Sequence, residues 1–240
     1  MDKIKHKILV MSGKGGVGKT TVAVNLAYAF SEKGFKVGLL DVDIHGPNIP
    51  KMLNLEDKKL IVKDKRMIPV QYNDRIKVIS FGFLLEKSDA VIWRGPMKHN
   101  LIKQFLQEVE WGDLDFLLID FPPGTGDEAI SISQLLKDIT GSIIVSTPQE
   151  VALLDAVKAI DFSEKTEIPV LGLIENMSGE VFGKGRVEDT AKEKGIEFLG
   201  RIKLNPEIRK SGDIGIPFIS SNPEYFDHIA DRTLKKVGEK

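Results

Sequence analysis

Residues Gly13–Thr20 read Gly-Lys-Gly-Gly-Val-Gly-Lys-Thr, and this octet decides how the rest of the chain is read. It matches the pattern G-x-x-x-x-G-K-[ST]. An apolar run, Lys7–Met11 (KILVM), stands just before it. A helical pattern from Gly18 to Lys33 follows, with Val22, Leu26, Ala29 and Phe30 on one face. Strand, glycine-rich loop and helix in that order are the context in which the pattern binds phosphate. Glycines let the backbone N–H groups of Gly13, Gly15, Gly16, Val17 and Gly18 turn inward around an anion. The helix N-terminus adds about half a positive charge. Lys19 is expected at the β- and γ-phosphates, the Thr20 hydroxyl on Mg²⁺ and Thr21 at the α-phosphate.

Outward from the loop, strand-length apolar runs alternate with amphipathic stretches. Lys36–Asp41, Phe116–Asp120, Ser142–Ser146 and Val170–Ile174 read as buried strands. Pro96–Val109, Glu150–Lys165 and Pro223–Val237 read as helices. Continuous apolar strands separated by helices predict a doubly wound α/β fold, a mostly parallel sheet with helices on both faces. Ligands of such folds sit at the carboxyl ends of the strands. The stretch Asp57–Asp74 breaks the rhythm and reads as a surface hairpin or excursion, not a linker. At 240 residues, the whole chain, 1–240, is expected to form a single P-loop ATPase domain.

Composition narrows the setting. The net charge is −1, which argues against a broad nucleic-acid footprint. There is no cysteine, so thiolate ligation of a metal or iron–sulfur cluster is chemically unavailable within the chain. A Lys/Glu-rich, cysteine-free composition is of the kind found in heat-adapted proteins. Met1–Val10 lacks the pattern of a signal peptide, and no run reaches the ~20 apolar residues of a membrane helix. The expectation is a soluble, cytoplasmic protein without a membrane partner.

Acidic residues close two of the predicted strands. Asp120 ends the run Phe116–Asp120 and is placed to hold a Mg²⁺-bound water. It precedes Pro122-Pro123-Gly124-Thr125-Gly126-Asp127, where Gly124 could offer an N–H to the γ-phosphate. Asp127 and Glu128 are expected to cap and charge the next helix. Asp41 and Asp43 follow the second strand, and either could instead cap the short helix beyond. His45 lies beside them.

A second lysine inside the loop, Lys14, makes the stretch resemble the deviant Walker A loop of the MinD/ParA/nitrogenase-iron-protein class. That resemblance implies a homodimer in which Lys14 reaches the partner's phosphates, the part an arginine finger plays elsewhere. It also implies that Asp43 positions the attacking water and that Asp41 supports the magnesium shell. Further stretches narrow the class: Asp41–Pro50 (DVDIHGPNIP), Trp93–Met97 (WRGPM), Trp111–Glu128 with its PPGTGDE end, and Thr147–Glu150. Together they resemble the Mrp/Nbp, or ApbC-like, ATPases that carry iron–sulfur clusters to apo-proteins. Glu175-Asn176-Met177 matches that family's ENM, which implies that Asn176 lies beside the adenine.

The sequence departs from the family after Ser178. Typical members carry a Cys-x-x-Cys pair there, whereas this chain runs Gly179-Glu180-Val181-Phe182-Gly183. The resemblance implies ATP and Mg²⁺ as ligands, slow ATP hydrolysis and an iron–sulfur apo-protein or scaffold as client. The alternative is a MinD- or ParA-like ATPase that positions or regulates a partner.

Overall fold

The computed structural model describes residues 1, 3–44, 46–84 and 95–239, and only the backbone of residues 95–98. The first half of the chain runs β1 (Ile4–Met11), α1 (Lys19–Glu32), β2 (Val37–Asp41), α2 (Ile49–Met52), β3 (Ile61–Lys63), β4 (Arg66–Ile68), β5 (Val70–Gln71), β6 (Ile76–Ser80) and α3 (Gly95–Gln107). The second half runs β7 (Leu114–Asp120), α4 (Asp127–Leu135), β8 (Gly141–Ser146), α5 (Glu150–Lys165), β9 (Val170–Ser178), α6 (Arg186–Glu193), β10 (Phe198–Lys203), α7 (Pro206–Ile214) and α8 (Asp227–Val237).

Eight strands form one sheet in the order β10-β9-β8-β1-β7-β2-β6-β5. Every pairing in it is parallel except that of β5 with β6. This is the doubly wound fold expected from the sequence. After β7 the chain crosses to the other side of β1 and continues through β8, β9 and β10. The crossing leaves a crevice at the carboxyl end of β1, where ligands of such sheets bind.

The strand period of two builds the two layers. Ile8 and Val10 face one core with Val22, Leu26 and Phe30 of α1, and with Ile229 and Leu234 of α8. Leu9 and Met11 face the other, with Ile102 and Phe105 of α3 and Ile160 of α5. Phe30 is fully buried against Phe116, ring centroids 4.7 Å apart. Truncating such a side chain costs about 3–5 kcal/mol.

The structure adjusts several expectations. β1 begins at Ile4, not Lys7, and β9 runs on to Ser178, so Glu175 and Asn176 belong to a strand. β6 and β10 were not anticipated, because lysines, an arginine and a glycine interrupt their apolar pattern. The predicted helix from Pro223 divides into a 3-10 turn at Pro223–Tyr225 and then α8. α3 stops at Gln107, because Glu108 and Glu110 instead exchange backbone hydrogen bonds with Met67. Of the stretch read as a hairpin or excursion, Ile61–Ile68 is a hairpin, with β3 and β4 pairing around Asp64 and Lys65, both in the left-handed region, whereas β5 joins the main sheet. Trp93, Arg94 and His45 lie outside the described residues.

Candidate functional site

The phosphate loop leaves β1 at Met11 and enters α1 at Lys19. Its glycines answer to specific constraints. Gly18 has φ 83°, and a Cβ there would lie 2.2 Å from Nδ2 of Asn176. A Cβ on Gly13 would lie 1.9 Å from the carbonyl oxygen of Asp155, so only glycine lets the loop rest on α5. Val17 is buried, and its carbonyl accepts a hydrogen bond from Asn176 Nδ2 at 2.8 Å. Asn176 thus ties β9 to the loop, with Met177 beside it in the left-handed region at φ 56°.

Gly15 and Gly16 are exposed and Lys14 is half-buried, all three lining a cleft of about 500 Å³. Gly18, Lys19, Thr20, Thr21, Asp43 and Asn176 line it as well. The N-cap residue of α1, Gly18, offers no side-chain hydrogen bond.

Beneath the loop, one carboxylate gathers the polar groups. Asp120 accepts from Lys19 Nζ at 2.5 Å and from Thr20 Oγ1 at 2.7 Å. It is fully buried, as is Asp41, its register partner on the adjacent strand. Burial raises the Asp120 carboxyl above the usual range, although the Lys19 ammonium opposes that shift. Burial and then the Asp120 charge push Asp41 up further. Burial disfavours the charged forms of these two carboxyls beside one lysine, and an added cation would favour them.

Asp41 also does the helix-end work that was left open for it. Its oxygens accept from the Ser80 hydroxyl at 2.8 Å, the Asp43 amide at 3.2 Å and the Ile49 amide at 3.4 Å, the last at the start of α2. Asp43 sits on the cleft wall and accepts from the Gly46 amide at 3.3 Å. The N–H of Gly124 donates to the Ser12 carbonyl at 3.0 Å, so it faces the loop rather than open cleft. Asp127 and Glu128 charge the first turn of α4, but the capping position is Gly126, with no side-chain bond.

The outer wall of the cleft was not read from the sequence. Met177, Leu204 and Ile208 provide apolar surface, and Lys51, Lys203 and Arg209 provide charge. Asn205-Pro206 was a legible signal there, because Asn205 caps α7 through Glu207 N at 2.9 Å.

Beside the cleft, fully buried Glu175 accepts from Arg201 Nε at 2.5 Å and from the amides of Gly185 and Val187 at 3.0 and 3.1 Å. Burial works against this carboxylate, but the amides and the guanidinium outweigh it and hold its pKa below the usual range. Between Asn176 and α6, residues 179–183 close a tight hairpin, with Gly179 and Gly183 exchanging backbone bonds of 2.9 and 2.7 Å. Val181 stands 74% exposed at its tip. This hairpin follows Ser178, where the resemblance leads one to expect a cysteine pair, and it holds none.

Comparison with known proteins fits this geometry. The ParA family model for NUBPL iron-transfer P-loop NTPases matches residues 3–239. The chain is 50% identical to an iron-sulfur cluster carrier protein of Methanocaldococcus jannaschii, covering 99% of this chain and 87% of that one. It is 46% identical to a mitochondrial iron-sulfur protein of Arabidopsis thaliana required for NADH dehydrogenase, covering 98% and 80%. A nucleotide-binding protein of Archaeoglobus fulgidus in complex with ADP superimposes with a TM-score of 0.82 at 40% identity, covering 94% of this chain and 92% of that one. The septum site-determining protein MinD of Pyrococcus horikoshii, complexed with Mg-ADP, gives 0.78 at 26%, covering 98% of each. This chain belongs to the iron–sulfur cluster carrier family of P-loop NTPases, and it has no cysteine of its own.

Proposed function

We propose that the chain, as a single domain, binds Mg·ATP in this cleft, hydrolyses it slowly as a homodimer and uses the cycle to serve an iron–sulfur apo-protein or scaffold. The observation that carries the reading is the Asp120 carboxylate holding Lys19 and Thr20 together under the open loop.

The chain's own groups divide the work. Amides of Gly13–Thr21 and the α1 N-terminus cradle the phosphates. Lys19 exchanges its bond to Asp120 for the β- and γ-phosphate oxygens. Thr20 and Asp120 are hard oxygen donors that fit magnesium, with Asp41 behind them and the Asp through water. Magnesium there would neutralise charge developing on the β–γ bridge. Asp43 orients the attacking water from the cleft wall. Lys14 of each subunit reaches the other's phosphates, so hydrolysis waits on pairing and an isolated monomer turns over slowly. Asn176, held by Val17, presents its amide edge to adenine.

The hairpin at residues 179–183 favours a role in which the cluster is carried by the client or scaffold. The same feature supports the second reading, a MinD-like switch that regulates a partner. Mg·ATP at about 100 times its Kd should stabilise the protein by about 2.7 kcal/mol in a thermal melt, and EDTA should remove most of that gain. A melt indifferent to Mg·ATP contradicts the proposal. A pull-down with ATP-held Asp43→Ala distinguishes an iron–sulfur client from a regulated partner of another kind.

A further inference from the structure

The hairpin of β3 and β4 lies outside the nucleotide cleft, none of whose lining residues it contributes. Ile61 faces Ile68, Val62 faces Met67 and Lys63 faces Arg66. Met67 spends its backbone on the other side: its N–H donates to the Glu108 carbonyl at 2.7 Å, and its carbonyl accepts from the Glu110 N–H at 2.9 Å. In an antiparallel ladder, pairs that exchange hydrogen bonds alternate with pairs that turn those groups outward. Val62 therefore directs its own N–H and C=O away from β4, and among the described residues no backbone group meets them.

Both faces of this edge are open too. Ile61 and Val62 point to opposite sides, and each is 64% exposed. A short sheet of residues 108–110, β4 and β3 thus ends in an apolar rim with unused hydrogen-bonding groups. The outer strand and its turn are basic: residues 58–66 hold Lys58, Lys59, Lys63, Lys65 and Arg66 against Asp64, with Glu56 and Asp57 before them and Glu108 and Glu110 on the far side of β4. Among the described residues, none of the five meets a carboxylate within ion-pair distance.

Charge selects the occupant. A second copy would set two such basic stretches against each other, and like charges facing across a sheet destabilise it. The lysines that block self-pairing leave the edge open to a strand of opposite charge. We propose that β3 is a docking edge for an extended, acid-bearing segment of a partner protein, which adds to it as a further strand. Backbone groups of that segment pair with Val62, its apolar side chains cover Ile61 and Val62, and its carboxylates meet the lysines and Arg66.

The test uses the full chain and two fluorescent eight-residue peptides, one alternating valine with glutamate and one alternating valine with lysine. Anisotropy should show the glutamate peptide binding at least about tenfold tighter, and more weakly as salt rises. Val62→Pro removes the outward N–H, and a sheet edge tolerates proline there. It should cost about tenfold in glutamate-peptide affinity while leaving Mg·ATP binding unchanged. Lys65→Glu, on the exposed turn, should weaken the same peptide. Three results overturn the proposal: no binding of the glutamate peptide, equal binding of both peptides, or affinity unchanged in both variants. Retention on phosphatidylserine vesicles without peptide binding would assign the edge to a lipid surface instead.

Discussion

α1 and α6 both begin from a glycine in the left-handed region, Gly18 at φ 83° and Gly185 at φ 91°, and neither glycine offers a side-chain cap. Each follows a strand that ends at the same edge of the sheet. At α6 the Glu175 carboxylate fills the N-terminus and is locked in turn by Arg201. At α1, among the described residues, no carboxylate accepts from the first-turn amides, and Gly18, Lys19 and Thr20 line the cleft. One helix end has its anion built in, and the other is proposed to take one from solution. On that proposal the first serves stability and the second ligand binding, although both glycines share the left-handed backbone.

The largest effects should come from the two lysines of the loop. Lys14→Ala should reduce steady-state ATP hydrolysis by about a thousandfold while changing Mg·ATP affinity by less than about threefold. Full turnover in that variant would remove the cross-subunit role. Lys19→Ala should lower Mg·ATP affinity by about 10- to 100-fold in isothermal titration. It also leaves Asp120 buried without its ammonium partner, so denaturant melts of the nucleotide-free protein should lose about 3 kcal/mol.

At the other helix end, effects should be smaller and confined to stability. Glu175→Gln should cost about 1–3 kcal/mol in denaturant melts and leave Mg·ATP affinity untouched. The Glu175 pKa is depressed in the folded protein, so its contribution is fully present above the ordinary glutamate value of about 4.3. It should disappear as pH falls from there through the lower folded value, and the variant should lack that acid-limb component. Gly185→Ala should cost about 1 kcal/mol by thermal melt, from the left-handed backbone alone. Among the described residues beyond its chain neighbours, the nearest atom to a Cβ there is Arg201 Nη2 at 3.9 Å.

The two helix ends also differ in how far the sequence discloses them. The phosphate loop is a contiguous pattern, so its strand, turn and helix could be read in order, and with them the parallel sheet. Glu175 carried no such sign. Its partners lie at 185, 187 and 201, beyond a hairpin whose closure depends on Gly179 and Gly183. Asp41 was legible as an acidic strand end, but its bond to Ser80 depends on β2 pairing with β6, a strand obscured by Lys77. The apolar wall of the cleft depends on Leu204 and Ile208 meeting Met177, which no local period announces.

Polyphosphate is proposed to enter the end of α1 and to find the end of α6 closed. Amide hydrogen exchange with and without Mg·ATP tests it directly. The predicted result is strong added protection across Gly13–Thr21 and none at Gly185–Val187. Equal protection of both segments, or none at Gly13–Thr21, would contradict it.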